Sequence, residues 1–340
     1  MQKIIVTGGS GFIGTNLIKK LLEMNYKVIN LDKLSYASNR YIKIKNKNYK
    51  FFNVDLNNKL KVYKILEKFK PNTIFNLAAE THVDRSIDNP YDFIHSNILG
   101  TYNLLECIRK VQKKNTKIKL IHISTDEVYG DLDNLKIKPS ENSTYKPSSP
   151  YSATKASADH LVTSYIRTYK INAMISNCCN NYGPYQFPEK LIPKTINNII
   201  KRKPVMVYAK GKNIREWIFV EDHCKALIKI MKKGKIGNSY NVGSGQSITN
   251  IDLIKKIIKI MKNNEFNLKI KPKIKFVKDR PGHDKIYSLN SKKIKNELHW
   301  RAKYNLNDGI YLTIKWYLEN IKYLSSIKEK NYDRRLGLQK

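Results

Sequence analysis

Lys3-Ile4-Ile5-Val6-Thr7-Gly8-Gly9-Ser10-Gly11-Phe12-Ile13-Gly14 runs from a short β-branched strand through a glycine-rich turn into an amphipathic stretch near Ile13 to Met24. Glycines at such a junction permit a tight turn and let the N–H groups at a helix N-terminus approach a pyrophosphate. The turn alone would say little. Here it has the strand-turn-helix context, and Asp32 closes the next strand at about the 20-residue distance where a carboxylate meets an adenosine ribose. Its charge would repel a 2′-phosphate, so NAD is preferred over NADP, an effect that neighbouring Lys33 slightly weakens.

Working outward, apolar β-rich runs alternate with helix-length amphipathic stretches, the pattern of βαβ units. Strands are predicted over residues 3–7, 27–31, 49–54, 73–77, 118–123 and 173–177, and helices over 13–24, 59–69, 90–110 and 151–169. Further helix patterns follow at 191–201, 222–231, 251–261 and 308–320. The expected fold is α/β, a Rossmann-type doubly wound parallel sheet with a smaller, mixed α/β C-terminal substrate domain. Residues 1–185 are assigned to the NAD-binding part, with segments around 215–245 returning to it. Residues 186–325 would form the substrate-binding part, and 326–340 a basic tail without a readable signal.

Composition excludes several classes. The 340 residues carry a formal charge of +36. Lysine far outnumbers arginine, the lysines are scattered among Asn and Ile, and no nucleic-acid-binding motif accompanies them, so no nucleic-acid partner is expected. No apolar run is long enough for a membrane span, and no signal-peptide pattern precedes the first strand, which predicts a soluble cytoplasmic protein. Cys107, Cys178, Cys179 and Cys224 lack disulfide or zinc spacing, so reduced thiols and no metal site are expected.

Two constellations carry chemistry. Tyr151 and Lys155 stand at i and i+4 of a predicted helix, on one face, where an ammonium can stabilise a phenolate and make the tyrosine a base. With Ser124-Thr125 at the end of a buried strand, they resemble the Ser/Thr-Tyr-Lys group of the short-chain dehydrogenase/reductase superfamily. Asp126-Glu127 then places adjacent carboxyls at that strand's carboxyl end, where one can serve as acid and the other as base. Epimerases and reductases of the superfamily usually lack such a pair, whereas eliminating water needs a proton taken and a proton given.

Eight segments together resemble the motifs of the dTDP-glucose 4,6-dehydratase family, in its order. They are Gly8 to Gly14, Asp32-Lys33-Leu34-Ser35-Tyr36-Ala37, Ala78 to Ser86, Ser124 to Gly130, Tyr151-Ser152-Ala153-Thr154-Lys155, Asn180 to Tyr185, Pro188 to Pro193 and Asp279 to Asp284. The resemblance implies an NAD site at Gly8, Gly11, Phe12, Ile13, Gly14, Asp32, Lys33, Leu34, Ser35, Asp55, Leu56, Leu77, Ala78, Ala79, Glu80, Ser96, Tyr151, Lys155 and Asn181. It implies a sugar-nucleotide site at Thr81, Thr125, Asn180, Lys190, Leu191, Met206, Val207, Tyr208, Arg215, Asn250, Asp279, Arg280, Pro281, Gly282 and His283. Arg215 and Arg280 suit a diphosphate, because guanidinium donors meet phosphate oxygens bidentately. Ser38 and Gln246-Ser247-Ile248 depart from the family pattern beside binding loops.

The resemblance implies a reaction as well. Tyr151, with Thr125 and Lys155, takes the sugar's 4-hydroxyl proton as NAD is reduced. Glu127 takes the carbon-5 proton, Asp126 protonates the departing 6-hydroxyl, and the regenerated NAD stays tightly bound. Other readings are a UDP- or CDP-glucose 4,6-dehydratase, a 4-epimerase or decarboxylase of the same superfamily, and an NAD-binding scaffold without catalysis. GDP-mannose dehydratases usually lack an Asp at the position of Asp126. Apolar Ile94, Ile98, Leu105, Leu161, Val162 and Ile166 lie on more than one face of their helices, which predicts a homodimer through a four-helix interface, as the resemblance also implies.

Overall fold

Apolar runs too short for a helix and bounded by turns become the strands β1 (Lys3–Thr7), β2 (Lys27–Asp32), β3 (Tyr49–Asn53), β4 (Thr73–Asn76), β5 (Lys119–Thr125) and β6 (Ala173–Cys178). Shorter strands follow: β7 (Asn180–Tyr182), β8 (Val205–Tyr208), β9 (Ile214–Phe219), β10 (Ser239–Val242), β11 (Ser247–Thr249) and β12 (Ile274–Val277). The computed structural model describes residues 2–337 apart from 41, 43, 114–116, 264–265, 267–271, 330–331 and 333–335.

The main sheet is parallel throughout, in the order β10-β6-β5-β4-β1-β2-β3. Period-two alternation divides its side chains between two cores. Ile4 and Val6 pack with Leu17, Leu21 and Ile228 on one face, while Ile5 packs with Leu66, Leu105 and Val162 on the other. Burial on both faces explains why these strands read as continuous apolar runs. Strand order reverses between β1 and β4, and ligands of such sheets bind beyond the strands' carboxyl ends there.

Of the 215–245 region, Ser239–Val242 joins the main sheet beside β6, whereas Ile214–Phe219 pairs with β7 and β11 in a separate three-stranded sheet. A third core gathers around that sheet from Ile192, Ile196, Trp217, Leu253 and Ile314. Helices occupy Phe12–Glu23, Lys59–Phe69, Pro150–Tyr169, Leu191–Ile200, Val220–Lys233, Asn250–Asn263 and Leu306–Glu319, each within a few residues of its sequence pattern.

One expected helix differs in kind. Residues 90–110 were expected to be continuous, but Pro90–Phe93 is α-helical, Ile94–Leu99 is a π-helix, and the α-helix resumes at Gly100–Gln112. The wider turn shifts the register and carries Ser96 and Asn97 to the sheet's carboxyl end. Asn97 bonds both backbone groups of Glu80, at 2.8 and 3.1 Å, and reaches Thr154 at 2.9 Å. Among the described residues, no helix is long and apolar enough to cross a membrane.

Candidate active site

The glycine turn does what its spacing suggests. Gly8 sits at φ +66°, and a Cβ there would come within 2.7 Å of Ala78 N; one on Gly14 would stand 2.4 Å from Gly8 O. A side chain at Gly8 would push the turn off the segment after β4, and one at Gly14 would drive the first helix off the turn. The helix Phe12–Glu23 begins without a side-chain cap, leaving its first N–H groups toward the cleft. Asp32 accepts from Ser10 N at 2.9 Å, Leu34 N at 2.7 Å and the Ser38 hydroxyl at 3.2 Å, so the departure at Ser38 adds a bond to the adenosine-side carboxylate. Leu34 stands at φ +58°, a strained conformation for leucine that this bond helps to hold. Bare amides at a helix start, glycines that admit close approach and an acidic group at the end of β2 fit a dinucleotide diphosphate and ribose.

The catalytic candidates meet at the ends of β5 and the helix after it. Ser149 caps that helix in a reciprocal box with Ser152, and Pro150 fills the first turn. This start places Tyr151 and then Lys155 toward the end of β5. Thr125 ends β5 opposite Cys178 of β6, and its hydroxyl accepts from Glu127 N at 3.2 Å to begin a short turn of 3₁₀ helix. Gly130 closes that turn at φ +79°, where a Cβ would overlap Lys146 O. Among the described residues, the hydrogen bond that Lys155 Nζ makes goes to Ile123 O at 2.7 Å, not to the phenol. Burial and the Glu127 carboxylate hold the Tyr151 phenol well above the usual tyrosine range, opposed by a hydrogen bond from Thr125.

Adjacent carboxyls stand in unlike surroundings. Asp126 is 3% exposed. Burial, then Glu127, then the fully buried Glu216 raise its carboxyl well above the usual range. Glu127 is also raised by burial, but Arg280, Arg215 and Lys190 pull it back. Asp126 Oδ2 and Glu127 Oε2 are buried with no hydrogen-bond partner among the described residues. Within the pair, the surroundings of Asp126 favour the protonated form more strongly than those of Glu127.

Three cations face them. Arg215 is fixed by backbone carbonyls, bonding Ile214 O at 2.8 Å, Lys285 O at 3.2 Å and Asp284 O at 2.8 Å, and stacks 4.2 Å from the Tyr287 ring centre. Arg280 pairs with Asp84 at 2.5 Å, while Lys190 Nζ donates to Thr81 O at 2.8 Å. Guanidiniums so braced are prepared for phosphate oxygens.

One cleft gathers nearly all the sequence-predicted residues. Leu34, Asp279, Pro281 and Gly282 are expected site residues that do not line it. Leu34 acts through its backbone, and Asp279 lies 2.6 Å from His283 Nδ1 and accepts Arg280 N at 2.9 Å, shaping the loop that presents both side chains. The cleft also holds residues that sequence reasoning passed over. Glu189 takes hydrogen bonds from Tyr36 at 2.8 Å and Arg85 at 3.1 Å, and Arg85 lies 3.8 Å over the Tyr36 ring. Asp84 accepts from Tyr208 at 2.7 Å as well as from Arg280. Tyr36, Asp84, Arg85 and Glu189 lay within quoted motifs, which was the available signal. Tyr287, Tyr332 and Leu336 had none.

Comparison with known proteins agrees with this geometry. A family model described as GDP-mannose 4,6 dehydratase matches residues 5–313. A probable dTDP-glucose 4,6-dehydratase of Sinorhizobium fredii is 44% identical, with 99% of each chain covered. The dTDP-glucose 4,6-dehydratase of Salmonella typhimurium is 41% identical, with 98% of this chain and 100% of the relative covered. Among solved structures, a Streptomyces venezuelae dTDP-glucose 4,6-dehydratase with NAD bound superposes with a TM-score of 0.88 at 35% identity, covering 96% of this chain and 100% of that one.

Proposed function

The chain belongs to the dTDP-glucose 4,6-dehydratase family, and on that footing we propose that it converts dTDP-glucose to dTDP-4-keto-6-deoxyglucose and water with tightly bound NAD. The observation that carries the reading is the Asp126-Glu127 pair, two carboxyls of unlike proton affinity at one crevice. A 4-epimerase would leave the pair without a task. The NAD would be held by the Gly8–Gly14 turn, Asp32, Ser35 and the Leu77–Glu80 segment, and when bound it supplies reversible oxidation, first at carbon 4 and then in reverse at carbon 6. Tyr151 would accept the 4-hydroxyl proton as a phenolate, which requires the positive charge of Lys155 one turn away and of bound NAD to offset the burial that otherwise keeps its phenol protonated, with Thr125 beside it. Glu127 removes the carbon-5 proton made acidic by the 4-keto group. Asp126 delivers its proton to the departing 6-hydroxyl. Arg215, Arg280 and Lys190 orient the diphosphate and keep Glu127 ionised.

Incubation with dTDP-glucose, followed by the ultraviolet absorbance of a 4-keto product in alkali, tests the reading. A signal with dTDP-glucose well above that with UDP- or CDP-glucose supports it. A purified enzyme holding NAD but yielding no 4-keto product from any of them would overturn it.

Asp32 gives a test of the cofactor side. Asp32→Ala is expected to weaken NAD binding by about 1.5–3 kcal/mol, the loss of a charge-assisted hydrogen-bonding group from a closed site. Discrimination against NADP should fall with it. Calorimetry showing parental NAD affinity would move the adenosine pocket elsewhere.

The protein is further read as a cytoplasmic homodimer. Leu105 and Val162 lie in the chain's own core and Leu161 and Ile166 pack against it, so they cannot form the whole of a dimer face. Ile94 and Leu99, however, are 45% and 44% exposed, near Tyr91 and Tyr102 on the same helical segment. Apolar groups left outward on neighbouring turns favour a partner surface. Sedimentation at micromolar concentration should give twice the chain mass, and a monomer would exclude the interface.

A further inference from the structure

Behind the reacting groups lies a buried polar cluster that the proposed reaction does not use. Helix Pro150–Tyr169 carries Tyr151, Lys155 and Asp159 at successive four-residue steps, so the three share one face. Asp159 is 1% exposed. Its Oδ2 accepts from the Ser124 hydroxyl at 2.7 Å, the Tyr145 hydroxyl at 3.0 Å and Asn177 Nδ2 at 3.4 Å.

The other oxygen, Oδ1, faces His122 Nε2 at 3.4 Å. The Thr7 hydroxyl donates to Asn76 Oδ1 at 2.6 Å, so the Asn76 amide turns its nitrogen to His122 Nδ1, 3.0 Å away. That ring nitrogen must accept, which leaves the imidazole proton on Nε2, near Asp159 Oδ1 but not hydrogen-bonded to it. Donors from the end of β5, from β6 and from the loop before the helix thus converge on the other oxygen of one carboxylate.

Lys155 is 4% exposed and gives a hydrogen bond to Ile123 O. An ammonium removed from water needs a counter-charge. Burial lowers its hold on the proton, and Asp159, followed by Cys178, opposes that loss. The groups in contact with Asp159 are His122 from β5, Ser124 at its end, Tyr145 from the loop and Asn177 from β6. Lys155, one turn earlier on the same buried helix face, and Tyr129, beyond β5, act on it through charge rather than through an ion pair or hydrogen bond. Burial keeps His122 neutral by lowering its proton affinity, which leaves Lys155 as the cation of the cluster.

We propose that Asp159 is a positioning residue: it is the counter-charge that keeps the Lys155 ammonium protonated inside the site, so that Tyr151 works beside a permanent cation. The proposal rests on reading Tyr151 and Lys155 as the proton-transfer pair, and its test is separable from that reading.

The ligand-free protein is labelled with a trace acylating reagent across a pH series, and the Lys155 peptide is followed by mass spectrometry. Asp159→Asn, nearly the same shape without the charge, should lower the Lys155 titration midpoint by about one pH unit. The alkaline limb of turnover should move toward neutrality by the same amount. A parental midpoint in a variant with parental circular dichroism overturns the proposal whatever happens to the rate, because a purely structural role would slow turnover without moving it. Asp159→Ser, which leaves room for a water to serve Ser124 and Tyr145, carries the same test if the amide variant misfolds. Labelling needs no substrate, so failure of the proposed reaction would show separately, as a parent enzyme without product.

Discussion

Glu127→Gln is expected to stop exchange of the carbon-5 proton with heavy water and to lower turnover by roughly a hundred- to ten-thousand-fold, the contribution of a positioned base. The amide keeps the volume and the backbone bond to Thr125, so the 3₁₀ turn should persist. What it removes is the carboxylate that Arg280, Arg215 and Lys190 keep available against the penalty of burial. Loss of the 4-hydroxyl proton lies with Tyr151 and should continue. In the parent, turnover should fall on the acid side as Glu127 takes up a proton, and burial places that fall above the ordinary glutamate range. Carbon-5 exchange in Glu127→Gln at the parental rate would show that the base is another group.

The sheet was legible because β1, β2, β4, β5 and β6 are buried on both faces and so carry consecutive apolar residues, with polar ones gathered toward their carboxyl ends. The strands β7 to β11 are three to six residues long and three of them, β7, β9 and β11, form a small separate sheet, so their pattern is too brief to separate from loop. The π-turn at Ile94–Leu99 left no trace, since one wider turn barely alters apolar spacing, yet it brings Ser96 to the cleft and Asn97 to the Glu80 backbone behind it. The site was legible where motif and geometry coincide, as at Gly8, Thr125 and Tyr151. Glu216 shows the opposite case. Its carboxylate accepts Gly245 N at 2.7 Å, the Ser288 hydroxyl at 2.7 Å and Leu289 N at 2.8 Å, contacts between distant segments that no local pattern announces. It is nonetheless one of the charges that keep Asp126 protonated.

That environment sets the expectation for Asp126→Asn. The variant loses the acid but keeps the base, so carbon-5 exchange should persist while product formation falls by roughly a hundred- to ten-thousand-fold. Neighbouring carboxyls titrate together, so the parental pH profile reports the pair and only the two variants separate the roles. Stability should move the other way. A carboxyl raised above its unfolded value favours the fold while protonated, a contribution intact below about pH 4 and lost as pH climbs through the raised value. For Asp126 the cause is burial first, then the charges of Glu127 and Glu216, so at neutral and alkaline pH the parent carries a destabilising tendency to ionise. Asparagine has no proton to lose. Thermal midpoints of Asp126→Asn should therefore rise relative to the parent between about pH 5 and pH 8. A gap that shrinks over that range would mean that Asp126 is ionised in the fold, and the assignment of acid and base to the pair would have to be reversed.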